Sequence, residues 1–144
     1  MIRMKVIIAS DHAGYALKER LKTVFQNVME FEDGGTFSEE SVDYPDFAHP
    51  LSEKVAKQEF PFGILICGTG NGMAMCANKH RDIRAGLCWN ADIARLVRQH
   101  NNANILVMPA RFIPEETAVE IMHAFFETDF EGGRHQRRID KINI

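Results

Sequence analysis

Five short apolar runs, each followed by a longer amphipathic segment, limit this chain to very few architectures. Lys5-Val6-Ile7-Ile8-Ala9, Val28 to Glu32, Gly63-Ile64-Leu65-Ile66-Cys67, Arg84-Ala85-Gly86-Leu87-Cys88 and Asn104-Ile105-Leu106-Val107-Met108 read as strands, the second weaker than the rest. Runs this short and this apolar suit strands covered on both faces, as in parallel sheets. Helical periodicity fills the gaps. Ala13, Leu17, Leu21, Val24 and Val28 recur on one helix face. Phe47, Leu51 and Val55 mark a second helix, and Met73 to Ala77, apolar all round, predicts a deeply buried third. Ala94 and Val97 mark a fourth, capped by Asn90. Pro114, Glu115 and Glu116 open a fifth that carries Ala118, Ile121, Met122 and Phe125. Arg134 to Ile142 suits a sixth, after the Gly132-Gly133 break. This order predicts an α/β fold over residues 1–144 as a single domain: a doubly wound, Rossmann-like five-stranded parallel sheet with helices on both faces and right-handed crossovers.

Composition removes several function classes. The 144 residues bury one substantial core. Lys plus Arg is 17 and Asp plus Glu is 20, a net charge of −3 that argues against a nucleic-acid partner. No apolar run approaches the ~20 residues of a membrane span. The opening MIRMKVIIASDHAG holds only a short apolar run, Val6 to Ala9, before Asp11, so neither a signal peptide nor an anchor is expected. Cys67, Cys76 and Cys88 are odd in number and lack CxxC spacing, which suits reduced thiols in a cytoplasmic protein. No His, Asp or Glu set has metal-ligand spacing, so no metal is expected.

Ligands of such sheets bind at the carboxyl ends of the strands, near a switch in strand order. The candidates there are Asp11-His12, Cys67 to Gly72, Trp89-Asn90 and Pro109 to Arg111. Cys67-Gly68-Thr69-Gly70-Asn71-Gly72 is the most informative. Its glycines let a ligand approach closely, and consecutive N–H groups at a helix start make an anion site. The plain alternative is a tight strand-to-helix turn without a ligand. No Gly-Lys-Ser/Thr follows, and the spacing is GxGxG rather than a dinucleotide fingerprint. Cys67 at the mouth of the loop is either a base or nucleophile with enhanced thiolate character, or a small buried hydrophobe. Cys76 and Cys88 read as packing residues. Asp11 is a substrate ligand or a helix cap, and His12 a functional or a surface residue. His100, with Asn101, ends the fourth helix; it is either a functional group or a favourable charge at a negative helix terminus. His49, His80 and His123 read as structural or solvated. Arg134 and Arg138 share a helix face and suit phosphate, or are a solvated basic end; spacing alone leaves Arg137 equally open as the partner of Arg134.

Taken in order, Ser10-Asp11-His12-Ala13-Gly14, Val42-Asp43-Tyr44-Pro45-Asp46, Ile66 to Gly72, Ala77-Asn78-Lys79, Arg98 to Asn101 and Glu131 to Arg138 resemble ribose-5-phosphate isomerase type B and its relatives, the galactose-6-phosphate isomerase subunits. The likeness runs from near Met4 to the last helix. It implies interconversion of an aldose phosphate and a ketose phosphate in carbohydrate metabolism, with no metal or cofactor. By matching motif, Cys67 is similar to the base that moves a proton between C2 and C1. Thr69 and the amides of Gly68, Gly70, Asn71 and Gly72 correspond to an anion hole for the enediolate. His100 matches the group that opens the furanose ring, with Asp11 and Asn101 near the sugar hydroxyls. His12, Arg134 and Arg138 match phosphate or positioning residues, and Tyr44 matches a tyrosine lining the sugar pocket. The resemblance further implies a homodimer with sites at the subunit interface, the C-terminal helix (about 133–143) touching the partner.

Two stretches depart from the family pattern. Pro109 stands where Gly is common before Ala110-Arg111, and Trp89-Asn90-Ala91-Asp92 is unusual after the fourth strand. Both bear on sugar preference, so a six-carbon substrate, allose or galactose 6-phosphate, is the alternative within isomerases. A non-catalytic sugar-phosphate-binding module is the alternative outside them. Such a module has no need of a base, which the Cys67, Thr69, His100 set would supply.

Overall fold

The computed structural model describes residues 3–144, so the first two residues of the expected domain lie outside it. Strand β1 (Met4–Ser10) leads to helix α1 (Tyr15–Val24), β2 (Met29–Asp33), α2 (Pro45–Ala56), β3 (Phe62–Cys67) and α3 (Asn71–Ala77). Then follow β4 (Ala85–Leu87), α4 (Ala91–Asn101), β5 (Ile105–Pro109), α5 (Glu115–Phe126) and α6 (Arg134–Ile139). The five strands form one parallel sheet in the order β2-β1-β3-β5-β4.

Strand alternation divides the core. Val6, Ile8, Ile64, Ile66, Leu106 and Met108 face α1, α4 and α5, where Leu21, Ala94, Ile121 and Phe125 meet them. Ile7, Ala9, Leu65, Cys67, Ile105 and Val107 face α2 and α3, against Leu51, Val55, Met73 and Ala77. Each fully buried Leu, Ile, Val or Phe contributes about 1.5–3 kcal/mol relative to exposure, so two such layers outweigh any surface pairing. The chain after β1 turns to one face and the chain after β3 to the other. A crevice therefore opens between the carboxyl ends of these adjacent strands, the switch point where α/β sheets bind ligands.

Several sequence expectations need local correction. Helix α1 stops at Val24, and Val28 lies exposed in the turn into β2, not on the helix stripe. The inward face of α1 instead includes Lys18, fully buried and paired with Asp33 and Glu19. Lys22 also reaches Asp33, at 2.7 Å, and the Gly35 N–H donates to Asp33 Oδ1 at 2.9 Å. Burial alone would raise the Asp33 carboxyl; the Lys18, Lys22 and Gly35 bonds outweigh it and hold it below the usual carboxylate value. Helix α3 is not buried all round: Met73 and Ala77 point inward, but Met75 is 68% exposed. Strand β4 is three residues long and pairs on one side only, with β5. Helix α6 ends at Ile139, short of the expected Ile142; beyond it Arg81 Nη1 donates to the Ile144 carbonyl and Asn143 to Asp82. No helix among the described residues is long and apolar enough to cross a membrane.

Candidate active site

Cys67 ends β3 on the α2/α3 face and is only 4% exposed. The chain then turns through Gly68, Thr69 and Gly70 into α3. Gly70 has φ +79°, and a Cβ there would stand 2.3 Å from Leu87 Cδ1, so both backbone and space demand glycine. The Thr69 hydroxyl accepts from the Asn71 N–H at 3.2 Å, which fixes the turn. Neighbouring segments close over the loop. The Arg111 N–H donates to the Gly68 carbonyl at 3.0 Å and the Ala110 N–H to the Cys67 carbonyl at 2.9 Å. The Arg111 side chain lies over Gly68, where a Cβ would come within 3.1 Å of Nη1. The Tyr44 ring lies on Gly72, where a Cβ would fall 2.6 Å from the ring.

Asp11 and His12 flank the same crevice from the end of β1. The Asp11 N–H donates to the Ile66 carbonyl at 3.2 Å, joining the two sides. Asp11 Oδ1 accepts from the Gly14 N–H at 3.0 Å, so this buried carboxylate shapes the turn before α1. His12 Nδ1 accepts from the Val42 N–H at 3.2 Å. That bond places the ring proton on Nε2 and pins a ring that was open to reading as a surface side chain. Asp11, His12, Tyr44, Cys67, Gly68, Thr69, Gly70, Asn71, Gly72 and Arg111 thus surround one crevice.

His100, Asn101, Arg134 and Arg138 are not there. Helix α4 returns from the carboxyl end of β4 to the amino end of β5, so its last turn lies at the opposite edge of the sheet. Asn104, just beyond, accepts from the Gly63 and Arg84 N–H groups at the amino ends of β3 and β4. The four-residue rise from Gly63 to Cys67 is roughly 13 Å at about 3.3 Å per residue, and His100 lies beyond its far end. Helix α6 packs on α4, and its Gln136 and Ile139, with Asp140 just beyond, share a cavity of about 240 Å³ with Asp82, Arg84 and Asn102. Within one chain, the expected site residues therefore form two groups on opposite ends of the sheet.

The second group contains residues that sequence reading passed over. His100 stacks on His135, with ring centroids 4.4 Å apart and planes 16° apart. Glu131 Oε1 lies 3.6 Å from His100 Nε2 and 3.8 Å from His135 Nε2. Desolvation, the His100 ring and Arg134 hold His135 below the usual histidine value. The sequence suggested no metal-ligand set, yet His100, Glu131 and His135 place their ligand atoms within 4.8 Å of one another. Stacked rings send their in-plane lone pairs side by side, so the set as it stands does not converge on one ion. Arg98, next to this group, is an anchor: its Nη1 donates to the Ala103 carbonyl at 2.7 Å, and its guanidinium lies over Phe62 at 5.0 Å. A cavity of about 640 Å³ near Arg84 and Arg98 opens at this amino end, away from Cys67.

The remaining cysteines, His49 and His80 pack within the fold, while His123 is half exposed, 3.3 Å from Glu127. Burial pushes the Cys88 thiol up to about 12 and raises Cys76 as well. His49 Nδ1 and His80 Nε2 are hydrogen-bonded at 2.7 Å, joining α2 to the turn after α3.

Comparison with known proteins shows the family. A family described as Ribose/Galactose Isomerase matches residues 6–142. The ribose-5-phosphate isomerase B of Escherichia coli is 40% identical over 139 residues, covering 96% of this chain and 93% of that one. A solved ribose 5-phosphate isomerase from Thermotoga maritima superposes with TM-score 0.95 at 54% identity, covering 98% of both chains. The Mycoplasma genitalium ribose-5-phosphate isomerase B, solved with bound ribulose-5-phosphate, superposes with TM-score 0.92 at 41% identity, covering 99% of this chain and 95% of that one.

Proposed function

Since the chain belongs to the ribose/galactose isomerase family, we propose that it interconverts ribose 5-phosphate and ribulose 5-phosphate through an enediolate, in the cytoplasm. The single observation that supports it most is Cys67 at the switch-point crevice, at the mouth of a loop whose glycines let a ligand approach its amides. The ribulose-5-phosphate held by the Mycoplasma genitalium relative fits a sugar phosphate there. Three free cysteines suit a reducing compartment.

In this reading the Cys67 thiolate removes the proton from C2 of the open-chain aldose. The carbonyl electrons shift to O1, and Thr69 with the amides of Gly68 to Gly72 stabilises the oxyanion. Such donors are commonly worth about 3–4 kcal/mol each. Cys67 then returns the proton to C1 while the O2 hydroxyl proton passes to O1 and C2–O2 becomes the ketone, so no oxidant, metal or cofactor is consumed. His12 and Arg111 with Asp11 and Tyr44 hold the sugar phosphate from one side.

The other half of the site comes from a second copy of the chain. His100 of the partner subunit opens the furanose, Asn101 of the partner subunit meets a hydroxyl, and Arg134 and Arg138 of the partner subunit grip the phosphate. Support for this comes from the two groups lying at opposite ends of the sheet, so that one chain alone cannot close them around a five-carbon substrate. Exposed Phe37, Met75, Trp89 and Phe112 also offer apolar surface that a partner would cover. An isologous two-fold pair gives two such sites.

The test is an NMR time course with ribose 5-phosphate, allose 6-phosphate and galactose 6-phosphate, each alone, with and without EDTA. Ribulose 5-phosphate should form fastest, and EDTA should leave the rate unchanged. Faster turnover of either hexose phosphate overturns the pentose assignment, and no turnover of any overturns catalysis.

A further inference from the structure

Glu131 and His135 face His100, and the chemistry above uses neither. The Glu131 N–H donates to the Gln99 carbonyl at 3.1 Å, tying the loop before α6 to the last turn of α4. Its carboxylate lies 3.6 Å from His100 Nε2. His135, buried in the first turn of α6, covers one face of the His100 ring. Yet 40% of the His100 side chain remains open. Three stretches of backbone thus converge on one imidazole that is still partly open to solvent. A solvated histidine at a helix end has no such restraint. The stack fixes the plane of the ring, and the carboxylate favours the tautomer with hydrogen on Nε2, leaving Nδ1 as the acceptor.

We propose that Glu131 and His135 are positioning residues that hold the His100 imidazole in one plane and one tautomer, with Nδ1 free to open the furanose ring. This rests on the assignment of ring opening to His100. The step balances on that nitrogen alone: Nδ1 takes the O1 hydroxyl proton as the C1–O4 bond breaks and the carbonyl forms, then gives the proton to O4. Nε2 keeps its hydrogen beside Glu131 throughout.

Ribulose 5-phosphate provides the control, because phosphate occupies the hydroxyl that would close a five-membered ring on C2; it is open-chain. Deuterium uptake from heavy water at C1 of ribulose 5-phosphate reads enolisation alone, whereas conversion of ribose 5-phosphate reads ring opening as well. For Glu131→Leu and His135→Ala, conversion of ribose 5-phosphate should fall about tenfold or more, the scale of a misplaced catalytic group, while deuterium uptake stays within about twofold. His135→Phe keeps a flat ring in the stack and should retain most conversion. A loosened α6 would displace Arg134 and Arg138 and lower both readouts together; that result overturns the proposal, as do wild-type values in both. Nitrogen-15 NMR of the His100 ring is the second measurement. The Nε2–H signature should be present in the wild type and lost in Glu131→Leu, and an unchanged signature overturns the tautomer assignment. His100→Ala separates the two levels. If it keeps full ribose 5-phosphate conversion, the ring-opening reading itself fails. If it loses conversion while Glu131→Leu and His135→Ala do not, only the positioning inference fails.

Discussion

Mixing two inactive variants tests whether the two ends of the sheet work together across subunits. Cys67 closes β3 at the carboxyl end, and Arg138 lies on α6 against α4, beyond the amino end. A site that needs both must draw them from different chains. On the proposed mechanism, Cys67→Ala removes the base from every site and Arg138→Ala removes a phosphate ligand from every site. When subunits exchange at random with mole fraction x of one variant, heterodimers make up 2x(1−x) of all dimers. Each heterodimer carries one doubly damaged site and one intact site. The intact fraction is therefore x(1−x), which peaks at about one quarter for equal mixing. Ribose 5-phosphate conversion, measured after native mass spectrometry shows complete exchange, should trace that parabola up to about a quarter of the wild-type rate. If Arg138 acted on the Cys67 of its own chain, every site would keep one lesion. A mixture no more active than its parents, at proven exchange, refutes the shared site.

Other perturbations follow from the same geometry. Cys67→Ala should lower kcat at least ~10²-fold with the fold intact, whereas Cys88→Ala should leave kcat unchanged and cost about 1–2 kcal/mol of stability by denaturant melting. Gly72→Ala pushes a Cβ to within 2.6 Å of the Tyr44 ring, so it should raise KM; in Tyr44→Ala the same change should cost little, a coupling of about 0.5–3 kcal/mol in the double-mutant cycle. Lys18→Met removes a buried partner of Asp33 and should cost about 3 kcal/mol at neutral pH. Because Asp33 is held below its ordinary 3.8, the stabilisation is complete above that value and fades as pH falls through the lowered one. The Lys18→Met penalty should therefore shrink in acid, and a penalty that is flat with pH contradicts the ion-pair account.

Sequence legibility tracked how directly a residue's chemistry dictates its place. The strands were legible because runs such as Gly63 to Cys67 are apolar on both faces, and the turn after β3 because glycines at Gly68, Gly70 and Gly72 mark a tight strand-to-helix loop. Lys18 was not, since a lysine among Glu19 and Arg20 reads as solvent-facing until a carboxylate from β2 is known to lie beside it. Met75 looked buried because composition on so short a helix carries no face. The distance between His100 and Cys67 was implicit: a helix linking parallel strands must run back, so its last turn lies away from the strand ends that hold the loop. Glu131 and His135 are four apart, the spacing of one helix face. Nothing in their order along the chain, however, indicates that a ring from α4 lies against them.

The proposed division of the catalytic centre between opposite ends of one fold also has a consequence for how such a gene can evolve. After duplication, one copy can lose the thiol end and the other the arginine end, and the pair still builds one complete centre. Each copy is then free to alter its idle half, where substitutions no longer affect turnover. Obligate pairing of unlike subunits is therefore within reach by simple loss, and a new sugar preference can arise at the surviving centre while the abandoned one drifts.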